Sequence, residues 1–207
     1  HHQSGIAQRL RVQPRHQPLR QAAAHQRVQR LRIDDAVRLG ALRELLLVDH
    51  AGVAQAKFEV LELLFAHFRA SHLSEDGGSA RDDSGRAFLA FVAQGGESLR
   101  RHALFEALQA RFHAADAAVW GWPVWPADHR DPDSPAVEAF AQQHAGRVQF
   151  HQYLQWLAAG QLARANAHCK ARGLGKGLYL DLAVSADRGG SDVWSEGALF
   201  AAEASVG

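Results

Sequence analysis

Two aspartates near the end of the chain are the residues whose setting could support chemistry. Asp181 lies in the segment Leu178–Ser185, where an apolar residue at every second position predicts a strand with one apolar face. An unpaired carboxylate is costly to bury there, so Asp181 either pairs with a cation or lies at the polar end of the strand. Asp187 lies in the loop that follows the predicted strand. It could be a second polar group on the same face, or it could form a turn before Gly189 and Gly190.

A second candidate is the aromatic segment Val119–Pro135. It carries Trp120, Trp122 and Trp125 together with four prolines, and this proline content excludes a regular helix. Tryptophan faces could stack on sugar rings, since indole combines an apolar face with a polar N–H at its edge. The prolines favour the other interpretation, a rigid loop whose tryptophans wedge neighbouring helices together.

The usual motifs of metal and nucleotide sites are missing from the sequence. None of the thirteen histidines belongs to an HExxH pair, and Cys169, the one cysteine, has no CxxC partner. There is no G-x-G-x-x-G motif, no P-loop and no G-x-S-x-G nucleophile elbow. We therefore expect no metal and no cofactor, and we interpret His144, His151 and His168 as residues on helix surfaces.

Charge is segregated along the chain. Residues 1–33 carry seven arginines and no acidic residue, a net charge of +7, whereas the remaining residues sum to −6. A cationic arm could bind nucleic acid, but this one is rich in glutamine and has no aromatic ring to stack on a base. Residues 1–47 are predicted to be a basic leader, disordered or non-native, and nucleic acid is not expected as a partner. Because the chain has no Met, we expect it to be an internal piece of a longer product.

The sequence predicts neither a membrane protein nor a secreted one. No run approaches the roughly eighteen apolar residues that a membrane span requires, and the N-terminus lacks the apolar core of a signal peptide. A single cysteine cannot form an internal disulfide. A cytoplasmic location without a membrane partner is expected.

The elements that would position these residues are mostly helices. With 207 residues and 47% hydrophobic content, the chain can bury a sizeable core. Glu75–Gly85 is predicted to be a loop, and the fold class is mainly α with a short α/β part at the end. Helices are predicted at about 53–72, at about 88–91 with a break near Gly95 and Gly96, at about 97–113, over about ten residues from Ser134 and Pro135, and at 148–172 with a stop at Gly173.

Several segments together resemble one family, the 4-α-glucanotransferases (amylomaltases, disproportionating enzymes). They occur in the family's order and cover about residues 48–207. The aromatic segment, FHQYLQW and DLAVSADRGGSDVW are the most specific of them. The resembling segments are VDHAGVAQAKFEVLELLFAHF from Val48, SLRRHALFEALQARF from Ser98, WGWPVWP from Trp120, VQFHQYLQWLAAGQL from Val148 and GLYLDLAVSADRGGSDVWSEGALFA from Gly177.

The resemblance implies a (β/α)8 barrel with a helical insertion. Residues 48–172 would form the inserted helical subdomain and its connecting helix, and residues 173–207 would form part of the incomplete barrel. The family transfers α-1,4-glucan segments between maltodextrins with retention, which requires two carboxylates about 5 Å apart. In the family's pattern these carboxylates lie beyond Gly207, so this chain alone is expected to be inactive.

For individual residues, the resemblance implies substrate-binding roles for Asp181, Asp187 and Trp194, and an α-1,4-glucan as the bound partner. None of these residues would be catalytic. The sequence also leaves a different class open, a helical protein-interaction module whose apolar faces dock on a partner. It does not define an oligomeric state.

Overall fold

The computed structural model describes residues 37–44, 46–181 and 185–201 of the chain. The chain divides between Val60 and Leu61 into two units, which are described separately. In the described ranges the protein is mainly helical, as the sequence predicts, and none of the helices there is long and apolar enough to cross a bilayer. We number the main helices α1 (His50–His72), α2 (Asp83–Ala115), α3 (Pro135–Gln143), α4 (Ala145–Ala171) and α5 (Ser191–Ser195).

The first unit contains helical residues 37–43 and the beginning of α1. The Oδ1 atom of Asp49 accepts a hydrogen bond from the backbone N–H of Gly52 at 2.9 Å, which satisfies one of the free donors at the start of the helix. This cap explains why α1 begins before the predicted residue 53. Within the same unit, Arg38 and Glu59 form an ion pair with an N–O distance of 3.0 Å.

The second unit contains α2, which has the break that the sequence predicts at Gly96. This residue has φ 53° and ψ −142°, a conformation that side chains with a Cβ rarely adopt, so the helix changes direction here. α2 begins at Asp83, inside the stretch predicted to be a loop. It begins this early because Asp82 caps it, with Oδ1 accepting from the N–H of Gly85 at 2.9 Å.

The ends of α3 and α4 follow the local signals in the sequence. Ser134 caps α3, since its Oγ accepts from the N–H of Val137 at 3.2 Å, and Pro135 occupies the first turn. α4 ends in a Schellman motif: Gly173 has φ +88°, and the N–H of Leu174 donates to the carbonyl of Cys169 at 3.1 Å. The helix starts at Ala145, slightly before the predicted residue 148.

Two groups of buried apolar residues form the core of the second unit, and both α2 and α4 contribute to each. The Trp125 cluster contains Ala103, Leu104, Phe105, Ala107, Leu108, Trp125, Val137, Phe140, Val148 and Trp194. The Phe88 cluster contains Phe65, Phe68, Leu73, Phe88, Phe150 and Tyr153. The part of α2 before the break at Gly96 contributes to the Phe88 cluster, and the part after the break contributes to the Trp125 cluster.

The strand predicted at Leu178–Ser185 is not present in the described part of that segment. Residues 178–181 have no strand pairing, and residues 182–184 lie outside the described residues. The N–H of Leu178 donates instead to the side chain of Asn166 in α4 at 2.9 Å. A strand needs a neighbouring strand to pair with its backbone groups, and alternating hydrophobicity does not supply one. The expected short α/β part is therefore not seen among the described residues.

Candidate functional site

Side chains of α2 anchor the first part of the aromatic segment, residues 119–125. The carbonyl oxygen of Val119 accepts from Nε2 of Gln109 at 3.0 Å and lies 3.2 Å from Nδ1 of His113. The Oε1 atom of the same Gln109 accepts from Nε1 of Trp125 at 2.9 Å. One amide group thus bonds to both Val119 and Trp125. The predicted wedging between helices holds for Trp125, which is 1% exposed, and not for Trp120, which is 62% exposed.

The same segment is fastened to the turn formed by residues 187–190. Nε1 of Trp122 donates to the carbonyl of Arg188 at 2.8 Å. At Gly121 an added Cβ would lie 2.8 Å from the carbonyl oxygen of Gly189, so the two backbones touch at this point. Because there is no room for a side chain here, the contact requires glycine at residue 121.

Trp194, predicted to bind substrate, lies in the core. It is 2% exposed, and its ring centroid is 5.8 Å from that of Trp125 and 5.9 Å from that of Phe105. Its Nε1 donates to the carbonyl of His129 at 3.1 Å, which satisfies the polar edge of the buried indole. As placed, the ring has no open face on which a sugar could stack.

The two predicted aspartates are both exposed. Oδ1 of Asp187 accepts from the N–H of Gly189 at 3.0 Å, and its carbonyl accepts from the N–H of Gly190 at 2.9 Å, so Asp187 forms the turn that the sequence offered as one alternative. Asp181 is exposed as well. The structure therefore separates the three predicted residues, with two carboxylates at the surface and Trp194 buried.

Arg101 in α2 ties the aromatic segment and α5 together. Its Nη1 donates to the carbonyl of Ser195 at 2.6 Å and its Nη2 to Oδ1 of Asp133 at 2.7 Å. Its Nε also donates to Glu97 at 3.1 Å. Charge-assisted bonds of this kind are stronger than neutral ones, and here they hold the C-terminal end of α5 and Asp133 against α2.

A cleft of about 720 Å³ opens beside α5. Most of its wall is apolar, and His102, Gln155 and α5 are among the groups that supply its polar atoms. These three groups were not recognised in the sequence, because they are far apart along the chain and belong to no local motif. The lining residues are Phe91, Gly95, Ser98, Leu99, His102, Gln155, Ala158, Ala159, Leu162, Ser191, Asp192, Ser195, Glu196, Leu199 and Phe200.

His102 and Ser191 in this cleft resemble a nucleophile and its base, but the hydrogen bonds point the other way. Nε2 of His102 lies 3.0 Å from Nε2 of Gln155, and Nδ1 lies 3.0 Å from Oγ of Ser191. In the orientation of the Gln155 amide seen here, its nitrogen donates to Nε2 of His102, and Nδ1 of the neutral ring carries the proton. In this arrangement Nδ1–H donates to Ser191, so His102 is not arranged as a base towards that hydroxyl.

His151 is buried, so the prediction that it lies on a helix surface is wrong. It is 4% exposed, and its Nε2 atom has no hydrogen-bond partner among the residues that the structure describes. Burial, followed by the nearby charges of Arg147 and His102, lowers the pKa of His151 to about 4. The sequence interpretation failed because α4 is covered on more than one side, which its apolar spacing does not reveal.

Two carboxylates of the second unit have pKa values below the ordinary range. For Asp76 the cause is the hydrogen bond from Ser74, followed by the backbone N–H of Gly78. For Asp82 it is the backbone N–H of Gly85, followed by His72. A general acid needs the opposite shift, so neither group suits that role. In the described part of the chain, no group of three His, Cys, Asp or Glu side chains could hold a metal ion.

The described part of the chain is mainly helical, and its tryptophan loop is fastened to a turn that carries an exposed carboxylate. Comparison with known sequences identifies the family. Residues 10–207 match the model of the Glyco_hydro_77 family, described as 4-alpha-glucanotransferase, and the match includes most of the basic N-terminal segment. The chain belongs to the 4-alpha-glucanotransferase family.

Individual relatives carry the same description. The chain is 32% identical over 179 residues to a 4-alpha-glucanotransferase of Haemophilus influenzae. The aligned region covers 85% of this chain and 25% of that relative. The chain is 34% identical over 121 residues to the 4-alpha-glucanotransferases of Mycobacterium bovis and Mycobacterium tuberculosis, covering 53% of this chain and 17% of each relative. The chain thus spans a quarter or less of the length of these curated relatives.

Proposed function

We propose that this chain supplies part of the scaffold and of the substrate-binding face of a 4-alpha-glucanotransferase acting in the cytoplasm. The complete enzyme would transfer α-1,4-glucan segments between maltodextrins by a retaining double displacement. The observation that carries the proposal is the family match over residues 10–207, combined with relatives named for this activity. The cytoplasmic location rests on the single cysteine, Cys169, which leaves no internal disulfide to form.

The catalytic carboxylates of that enzyme would lie outside this chain. A retaining mechanism needs one carboxyl group as nucleophile and a second as acid and then base. Asp76 and Asp82, with lowered pKa values, remain ionised and cannot serve as the acid. Because the chain spans a quarter or less of its relatives' length, we expect it to have no transferase activity on its own.

The proposed architecture is a helical subdomain, residues 48–172, inserted into a (β/α)8 barrel to which residues 173–207 contribute. Two observations support it. α4 ends sharply at Gly173, and the chain then runs non-helically through residues 177–181. In that stretch Tyr179 is 93% and Leu180 68% exposed, as expected of residues that a neighbouring strand or helix would cover.

The predicted site residues would contribute in two ways. Asp181 and Asp187 are exposed, so their carboxylates can accept hydrogen bonds from glucan hydroxyl groups. Trp194 is buried, and its contribution would be to hold α5 and the preceding turn in position.

The test is to assay the intact protein and the 207-residue chain separately on maltotriose. We expect the intact protein to release glucose and to build longer maltodextrins, and the chain alone to remain at background. Absence of transfer by the intact protein would refute the proposed activity. Turnover by the chain alone would refute the assignment of the catalytic carboxylates to other parts of the protein.

A helical protein-interaction module is the second candidate, and exposed apolar side chains favour it. Leu162 is 46% and Leu199 79% exposed, and Phe200 at the edge of the cleft is 37% exposed. Under this alternative the intact protein would show no transfer on maltotriose, and Leu162→Ser would weaken its association with another protein. Under the main proposal the same substitution would lower the stability of the intact enzyme.

A further inference from the structure

Trp120 differs from the other tryptophans of the aromatic segment in its exposure. Its side chain is 62% exposed, whereas Trp125 is 1% exposed and Trp122 donates its N–H to a backbone carbonyl. Single exposed apolar residues are common on protein surfaces, so exposure alone carries no function. The way in which Trp120 is mounted and what lies beside it are more informative.

The backbone on both sides of Trp120 is fixed. The preceding carbonyl, of Val119, is held by side chains of α2, and the following residue, Gly121, touches the backbone of Gly189. The ring itself lies against Gly189, since a methyl group added there would be 2.6 Å from Cζ3 of the indole. One side of the ring is therefore seated on a glycine while the rest stays open to solvent.

A carboxylate lies beside the same glycine. The added methyl group on Gly189 would also be 3.7 Å from Oδ1 of Asp187, which places the carboxylate next to the indole. Oδ1 is oriented by the N–H of Gly189 at 3.0 Å, and the Asp187 side chain is exposed. A rigid indole face and an adjacent carboxylate are complementary to a pyranose, whose C–H face stacks on the ring while its hydroxyl groups donate to the carboxylate.

We infer that Trp120 and Asp187 together form a glucan-binding platform that holds a sugar unit of the substrate. The inference rests on the proposed function and extends it, because it names a residue on which the substrate stacks. A phosphorylated or anionic ligand fits this platform poorly, since Asp187 would repel it. Trp120 acts in binding only.

The test measures affinity without turnover. Calorimetric titration of the intact protein with a sulfur-linked maltoheptaose, which cannot be cleaved, is compared for the wild type and the variants Trp120→Ala, Trp120→Phe and Val124→Ala. We expect Trp120→Ala to weaken binding about tenfold and Trp120→Phe to retain most of the affinity, because the aromatic face is kept. Val124, which is 45% exposed in the same loop, is the matched control and should have no effect when truncated.

A second variant moves the ring without removing it. Gly189→Ala places a Cβ where the indole now lies, so it should displace Trp120 and weaken binding as Trp120→Ala does. The inference is overturned if the wild type does not bind the analogue, if Trp120→Ala binds as well as the wild type, or if Val124→Ala loses as much. The maltotriose assay is scored separately. If the intact protein transfers glucan and Trp120→Ala binds the analogue with full affinity, the platform is refuted and the proposed function is not.

Discussion

At the scale of single residues, the buried imidazole of His151 should make the fold less stable in acid. Its pKa is about 4 in the folded protein and near 6.5 when the chain is unfolded, so the unfolded state binds the proton first as the pH falls. The free energy of unfolding therefore keeps its full value above about pH 6.5 and decreases progressively as the pH falls towards 4. Each pKa unit corresponds to about 1.4 kcal/mol, so the free energy of unfolding should fall by up to about 3 kcal/mol over this window.

Urea denaturation at pH 7 and at pH 4.5 measures this dependence. In His151→Phe, which keeps an aromatic ring but cannot be protonated, the loss between the two pH values should be smaller than in the wild type by most of that amount. The comparison cancels the carboxylates, which titrate equally in both proteins. An equal loss in both proteins would show that His151 does not control the response to acid.

Trp194 is predicted to bind substrate, and its burial also gives it a role in stability. It fills the Trp125 cluster and donates to the carbonyl of His129, so Trp194→Ala should destabilise the protein by about 3–5 kcal/mol. Trp120→Ala removes the same side chain from an exposed position and should cost less than about 1 kcal/mol. Chemical denaturation of the two variants gives both values, and a similar cost for the two would contradict the buried placement.

At the scale of elements, two glycines in long helices should respond to alanine with opposite signs. Gly96 has open space around it but a positive φ, so Gly96→Ala should destabilise by about 1–3 kcal/mol through backbone strain alone. Gly160 lies inside α4, where a Cβ would meet Arg164 at 3.4 Å, and Gly160→Ala should stabilise by up to about 1 kcal/mol. Thermal unfolding of the two variants tests the pair, and shifts of the same sign would count against the break at Gly96.

These elements also show what the sequence could predict. The break at Gly96, the cap at Ser134 and the stop at Gly173 are local, because each depends on the conformation or hydrogen bonds of a few neighbouring residues. The strand at Leu178–Ser185 depends on a partner strand, which no local pattern can supply.

In the candidate site, too, the local features could be predicted from the sequence and the long-range contacts could not. A turn at Asp187 could be predicted from the glycines that follow it, because its hydrogen bonds are local. The burial of Trp194 under Trp125 depends on contacts between residues far apart in the chain. The contact of Trp120 with Gly189 also joins residues far apart in the chain, and the sequence around neither residue indicates it.

At the scale of the second unit, α2 and α4 join the two apolar clusters into one core. α2 supplies Phe88 to one cluster and Leu108 to the other, while α4 supplies Tyr153 and Val148 in the same way. An element that is packed in both clusters cannot lose its contacts in one without loosening the other. We therefore expect the two clusters to unfold as one cooperative unit.

Hydrogen exchange can distinguish one cooperative core from two. Phe88→Leu, a reduction in volume within the Phe88 cluster, should lower the opening free energy of the Tyr153 amide by about 1–2 kcal/mol. It should lower that of the Leu108 amide, in the Trp125 cluster, by the same amount, because both amides exchange through the same global unfolding. Leu64→Ala, at a position that is 48% exposed on α1, is the control and should change neither value by more than about 0.5 kcal/mol. A loss of protection confined to Tyr153 and its neighbours would mean that the two clusters open independently, with the break at Gly96 acting as the boundary between them.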